Sequence, residues 1–403
     1  MMRGSFDVSF MEPTLSSQMP FLFPNLRVLT WSVAPSGSES RRNSDLAVIT
    51  RQLFSDTIVS LSVTFHEADP GIHSFLQNFV SLCSRLKSFT LYIHQDLCKL
   101  ESVSRSDIHQ LSLAIGTHEH LEHLHILIPI EDAALTHIML SPRNKYVSLP
   151  LYPGVSNLGD LRITSANTPF RNIRKLALHV WDLRSVCSLL RPNKQRFHTF
   201  CLNLRAHHKA ETVSALFTAL ASPHRMNSLY SIHLTAFVDY TTSDRLTYDV
   251  LHPLTSLKHL RELELSLPTH TFLNDNELAN LTHNWPMLEV LVLDCSAMFY
   301  RPFVSSITLR GLLSLLSNCP QLRKVELPLD AREIPGETDV DVRSTTLTSF
   351  ALADCDSPIL YPRLVANFFS RYLPSVKYIF PTTEPRVLRH NYIQLWNTVN
   401  HYL

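Results

Sequence analysis

WPMLEVLVLD, residues 285–294, sets Leu288, Leu291 and Leu293 at the first, fourth and sixth places of a Leu-x-x-Leu-x-Leu run. CPQLRKVELPL repeats it with Leu322, Val325 and Leu327, and KHLRELELSL with Leu260, Leu263 and Leu265. Alternate residues of an extended segment face opposite sides, so the fourth and sixth places share a face while the first sits at the bend into the strand. One copy cannot bury that apolar edge, but stacked copies can. The expected fold is therefore an α/β leucine-rich-repeat solenoid, with a curved parallel sheet on the concave side and helices on the convex side.

The same trio recurs along most of the chain. Earlier copies are Leu26/Leu29, Ile58/Leu61, Leu86/Phe89/Leu91, Leu121/Leu124/Ile126, Leu158/Leu161/Ile163, Ile173/Leu176/Leu178, Phe197/Phe200/Leu202 and Leu229/Ile232/Leu234; later ones are Leu347/Phe350/Leu352 and Val376/Ile379. Most spacings leave room for one strand and one helix. The step from Leu158 to Ile173 does not, so one of those two copies is accessory. The first is the better candidate, because it follows the irregular, Pro-rich residues 141–154.

Between the trios the period changes from two to 3.6. Leu309, Leu312, Leu313 and Leu316 keep the i, i+3, i+4, i+7 spacing of a helix face, closed by Pro320. Leu278 and Leu281 share a second face, capped by Asn274 or Asp275 and followed by Pro286. Ile108/Leu111/Ile115 and Val213/Leu216/Leu220 behave alike. Two apolar stripes near the end, Leu364/Phe368/Phe369/Tyr372/Leu373 and Tyr392/Leu395/Trp396/Val399/Leu403, suit a helical cap over the last repeat. The expected organisation is a disordered tail over 1–20, the solenoid over 21–362 and the cap over 363–403.

Composition narrows the function classes. Of 403 residues, 45% are hydrophobic and 18% charged, ample for a core and unlike a disordered chain. The net charge of +1 gives no basic field of the kind nucleic acid selects. Seven scattered cysteines without a C-x-x-C pair fit reduced thiols in the cytoplasm or nucleus. No stretch has the length and apolarity of a membrane span, and the N-terminus lacks the uninterrupted apolar core of a secretory signal.

Chemical motifs are sparse. THEHLEHLHIL gathers His118, His120, His123 and His125, of which His123 and His125 share a strand face, but no further ligand completes a zinc set, so solvated histidines are expected. Neither H-E-x-x-H, G-x-G-x-x-G, a P-loop nor G-x-S-x-G is present. No catalytic residue, cofactor or metal is assigned, and a non-enzymatic protein is expected; the remote alternative is an enzyme with no visible motif.

Candidate contact residues lie at outward places and on loops that follow strands. Arg261, Glu262, Glu264, Glu289, Arg323, Lys324 and Glu326 form a face of mixed charge, suited to a polar protein surface or to pairing within the sheet. AMFYRPF places Phe299, Tyr300, Arg301 and Phe303 just past a strand; aromatic residues with Arg anchor interfaces, unless these pack on the neighbouring repeat instead. The acidic loop 330–341 belongs to the same edge.

WPMLEVLVL, NCPQLRKVELPL, LVANFFSRYLPSVKYIF, Trp396 in YIQLWNTVNHYL, and FPNLRVLTW at residues 23–31 as a first repeat together resemble the repeat portion of the F-box/LRR-like protein family of mushroom-forming fungi, over roughly residues 20–403. The resemblance implies a substrate receptor: the repeats hold a target protein while an F-box docks the adaptor of a ubiquitin ligase. The first 22 residues contain neither the length nor the Leu-Pro-x-Glu-like start of an F-box. Two readings stay open, an F-box upstream of this sequence or a free-standing repeat scaffold or decoy without a ligase.

Overall fold

The computed structural model describes residues 25–33, 55–65, 75, 83–93, 104–152, 170–190, 196–206, 208–236, 245–267, 270–294, 305–336, 342–353, 357–380 and 390–403. They belong to two compact units, Met1–His179 and Val180–Leu403. Each unit is an α/β leucine-rich-repeat stack.

In the first unit, strands β1 (Val28–Val33), β2 (Ser60–Phe65), β3 (Ser88–Ile93), β4 (His123–Ile126) and β5 (Tyr146–Leu151) pair in parallel in chain order, and β6 (Lys175–Val180) lies beside β5. Helices α1 (Arg105–Thr117) and α2 (Asp132–Leu140) connect the later strands. The register aligns the trio: Leu29, Leu61, Phe89, Leu124 and Val147 stand side by side across five strands. Every described anchor of the trio is buried except Leu26, which is partly covered.

The second unit begins with α3 (Leu183–Leu190), β7 (Thr199–Leu204), α4 (Ala210–Leu220), β8 (Ser231–Ala236), β9 (Arg245–Thr247), α5 (Tyr248–Leu251), a 3-10 turn (His252–Ser256) and β10 (Glu262–Ser266). It continues with β11 (His270–Phe272), α6 (Asp275–Thr282), β12 (Val290–Asp294), α7 (Leu309–Asn318), β13 (Lys324–Leu327), β14 (Ser349–Leu352), α8 (Pro362–Tyr372), β15 (Ile379–Phe380) and α9 (His390–Tyr402). The sheet order is β7-β8-β10-β12-β13-β14-β15, with β9 and β11 forming a separate parallel pair. Phe200, Ile232, Leu263, Leu291, Val325, Phe350 and Ile379 form one continuous apolar row. Each buried side chain of this kind contributes about 1.5–3 kcal/mol.

Residues 141–154 include a strand that the sequence reading treats as irregular. In β5, Val147 and Leu149 hold the fourth and sixth places, but the first place is Asn144, buried and donating from Nδ2 to Ile138 O at 2.9 Å. A polar first anchor hides the copy from a search for leucines. Ile173, Leu176 and Leu178 form the next full repeat; residues 158–163 lie outside those described.

Helix starts follow capping chemistry. Ser104 and Asp107 form a reciprocal capping box at α1, as do Asn274 and Glu277 at α6, so Asn274 rather than Asp275 is the cap. In α8 the buried stripe is Val365, Ala366, Phe368, Phe369 and Tyr372, whereas Leu364 is 49% exposed and faces away. Phe369 meets Phe350 of β14 at 5.1 Å and Trp396 of α9 at 6.3 Å, both edge-on.

Side-chain donors tie one repeat to the next at the ends of the helices. His118 sets Nδ1 2.5 Å from Ala114 O and Nε2 3.0 Å from Cys83 O. Arg225, fully buried, donates to Ala219 O and Leu190 O at 2.5 Å each. Trp285 Nε1 donates to Leu254 O at 3.0 Å, Cys319 Sγ to Trp285 O at 3.4 Å and Trp396 Nε1 to Ser357 O at 2.8 Å. Helix C-termini and turns leave carbonyls without backbone partners, and these donors satisfy them.

Candidate interaction surface

The residues between the trio anchors form the outward face of each sheet, and the register orders them into rows. In the second unit one row runs Thr199, Ser231, Glu262, Val290, Lys324, Ser349, and the next Cys201, His233, Glu264, Val292, Glu326, Ala351. The predicted contact residues Glu262 and Glu264 thus sit on β10 and Lys324 and Glu326 on β13, separated by the two valines of β12. Arg261 and Arg323 come just before their strands, on either side of Glu289, at 3.5 and 3.7 Å from its carboxylate. Phe299, Tyr300, Arg301 and Phe303 lie outside the described residues, as does the acidic loop beyond residue 336.

Lys324 reaches across β12 to Glu264 at 3.9 Å, and Val292 of β12, although on the outward face, is only 5% exposed. Glu264 also accepts from His233 Nδ1 at 2.7 Å, and that hydrogen bond is the main reason its carboxyl is held below the usual carboxylate range. Glu326 is displaced the other way: burial raises it first, and Asp294 and Glu264 nearby raise it further against the pull of Lys324.

Ser231, His233 and Glu264 have the spacing of a hydrolytic triad, with Ser231 Oγ 2.6 Å from His233 Nε2. Chemistry argues against that role. Ser231 is 2% exposed and donates its proton to Glu262 at 2.6 Å, so the histidine does not receive it. The amides of these strands are committed to the sheet ladder and offer no oxyanion hole. His233 and Ser231 escape a sequence reading because they join the glutamates only through register.

In the first unit the four histidines separate. His118 is buried, correcting the expectation of four solvated rings, while His120 contacts Arg143 at the surface. His125 stacks on Tyr146, and its pKa is lowered by burial and then by Lys175. Among the described residues no group of three or more His, Cys, Asp or Glu could hold a metal ion. Burial pushes the Cys83 and Cys319 thiols up to about 12, which makes them poor nucleophiles. No described helix is long and apolar enough to cross a membrane.

A parallel strand-helix repeat with a polar outward face defines the class as α/β leucine-rich-repeat. No protein-family model matches the chain, and no curated protein matches it. A chain in the crystal structure of the Rad7 and Elc1 complex from yeast is similar at a TM-score of 0.48 and 12% identity, over 89% of this chain and 90% of that one. A likeness of that degree does not extend to function.

Proposed function

We propose that the protein is a protein-interaction module, the target-binding part of an F-box-like receptor of a ubiquitin ligase. The observation that supports target binding is the second unit's outward face, where polar and charged side chains stand in register on either side of the two valines of β12 while the opposite face is apolar. Mixed charge of this kind sets partner choice and register more than raw affinity. Arg261, Glu262, Glu264, Arg323, Lys324 and Glu326 are the proposed contacts, with Phe299, Tyr300, Arg301 and Phe303 as aromatic anchors. Residues 21–362 serve as the repeat array and 363–403 as its cap, in an intracellular compartment. The ligase link rests on the sequence resemblance.

Affinity purification of the native protein from its own cells, with quantitative mass spectrometry, tests both levels. Stoichiometric recovery of a ligase adaptor and cullin is the expected result. Recovery of other proteins alone, while an F-box control retains its ligase, overturns the receptor reading and leaves a free-standing scaffold. Recovery of no protein overturns both.

A further inference from the structure

The first unit carries a cationic cleft that the sequence reading does not single out. Lys87, Glu122, Lys145 and Arg174 immediately precede consecutive strands, and their amides step along one ladder: Glu122 N to Lys87 O at 2.8 Å, Lys145 N to Glu122 O at 2.8 Å, Arg174 N to Lys145 O at 2.7 Å. Neighbouring strands lie about 4.8 Å apart, so these side chains form a row. Beside it opens a cleft of about 520 Å³ lined by Glu122, Pro142, Arg143, Lys145, Asn172 and Arg174.

The charges of this cleft do not balance. Among the described residues of the lining Glu122 is the only acid, and it is shared between two ammonium groups, Lys145 in a short hydrogen bond and Lys87 at 3.6 Å. Among the described residues no carboxylate pairs with Arg174, and the Arg143 guanidinium meets a ring nitrogen of His120 rather than a carboxylate. Lys175 adds a further cation, 5.4 Å over the ring of Tyr146 on the adjoining face. The walls are fixed: Asn172 Nδ2 donates to Pro142 O at 2.5 Å, and the buried Phe170 holds a left-handed backbone with φ of 57° while its amide donates to Met139 O at 2.6 Å. A bulky residue rarely adopts that conformation, which persists where the surroundings impose it.

We propose that this cleft binds an anionic stretch of a partner protein, with carboxylate or phosphate side chains seated between Arg143, Lys145 and Arg174. Arginine forks take either group in paired hydrogen bonds. A protein segment suits it better than nucleic acid because the lining holds a carboxylate and the whole chain carries a net charge of only +1. The proposal rests on the protein-interaction reading and adds the chemistry of what is held.

The test measures binding of the full chain to labelled hexaglutamate, to a peptide of the same length carrying phosphoserines, to hexaglutamine and to oligo-dT, by fluorescence anisotropy across a salt series. At least one anionic peptide binds and hexaglutamine does not; whichever anionic peptide is tighter identifies the source of the charge. Arg174→Gln weakens that complex by about tenfold, and Arg143→Gln/Arg174→Gln by more, with unchanged circular dichroism. Arg363→Gln, exposed on α8 in the other unit, leaves it unchanged. Equal binding of hexaglutamine, equal loss with Arg363→Gln, or tighter binding of oligo-dT overturns the proposal. Cellular partners retained in full by Arg143→Gln/Arg174→Gln would also overturn it while leaving the interaction module standing.

Discussion

Replacing Gly311 by Ala should destabilise the protein, although it sits inside a helix. Elsewhere in an exposed helix interior the change would gain about 1 kcal/mol, because glycine has more backbone freedom to lose. In α7 a Cβ at this position overlaps Asp275 Oδ1 and stands 3.0 Å from its Cγ. That carboxylate is engaged: Oδ1 accepts from Thr308 N at 2.7 Å and Oδ2 from Thr308 Oγ1 at 2.6 Å, joining the start of α6 to the cap of α7. Hydrogen bonds to a charged group contribute about 1.5–3 kcal/mol each, and these are only part-buried, so the pair is worth about 2–4 kcal/mol. Set against the helix gain, Gly311→Ala costs about 1–3 kcal/mol. In an Asp275→Ala background the carboxylate overlap is removed and only the backbone Cα of residue 275, 3.3 Å from the added Cβ, still crowds it, so the same change costs less, a difference that a double-mutant cycle by urea unfolding and circular dichroism reads directly. A stabilised Gly311→Ala with Asp275 intact, or the same effect in both backgrounds, would refute the packing argument.

Other expectations concern the core, the joints and the charged face. Leu291→Ala lowers stability by about 2–5 kcal/mol, whereas Val290→Ala on the outward face changes it by about 0.5 kcal/mol or less; equal costs in urea titrations would mean the faces are misassigned. Arg225→Met keeps the volume but strands two buried carbonyls, costing about 2–4 kcal/mol, and Arg225→Lys recovers only part because one ammonium cannot reach both. A melting temperature for Arg225→Met at or above that of the unaltered protein would contradict this. The two glutamates should respond to pH with opposite sign. Glu264, its folded pKa held down, contributes stability that is complete above the ordinary carboxylate pKa and lost as pH falls through the lower folded value. Glu326, its folded pKa raised, costs stability at neutral pH and ceases to do so as pH falls through the raised value. Glu326→Gln therefore stabilises at pH 7 with the advantage vanishing in acid, and Glu264→Gln destabilises; the same sign for both across a pH series of unfolding curves would be the failing result.

Much of the architecture is legible in the chain because the trio reports burial directly. Leu291 and Leu293 are apolar in the positions where the parallel register needs them, and the intervening helices announce themselves by period and cap. The reading fails where a polar residue takes an apolar place for a local reason: Asn144 serves as an anchor because its amide has a carbonyl to bind. His118 likewise looks like a surface residue until two carbonyls from different repeats are seen to enclose it. The outward face is legible in its composition, as with Glu262 and Lys324, but not in its pairings. Lys324 reaches Glu264, 60 residues earlier in the chain, only because three strands are in register. The cationic cleft is hidden for the same reason, its arginines coming from loops on separate repeats.

The donors that join repeat to repeat vary along the chain: an imidazole, a guanidinium, a thiol and two indoles. A stack built from one repeated joint could lose or gain a unit and close up again. Here the joints at His118, Arg225, Trp285, Cys319 and Trp396 are each shaped for a particular neighbour, so the order of those repeats is written into their seams. Excising one would bring together a donor and a carbonyl that were never matched in reach or geometry. A deletion or duplication of a repeat at these seams would therefore cost stability.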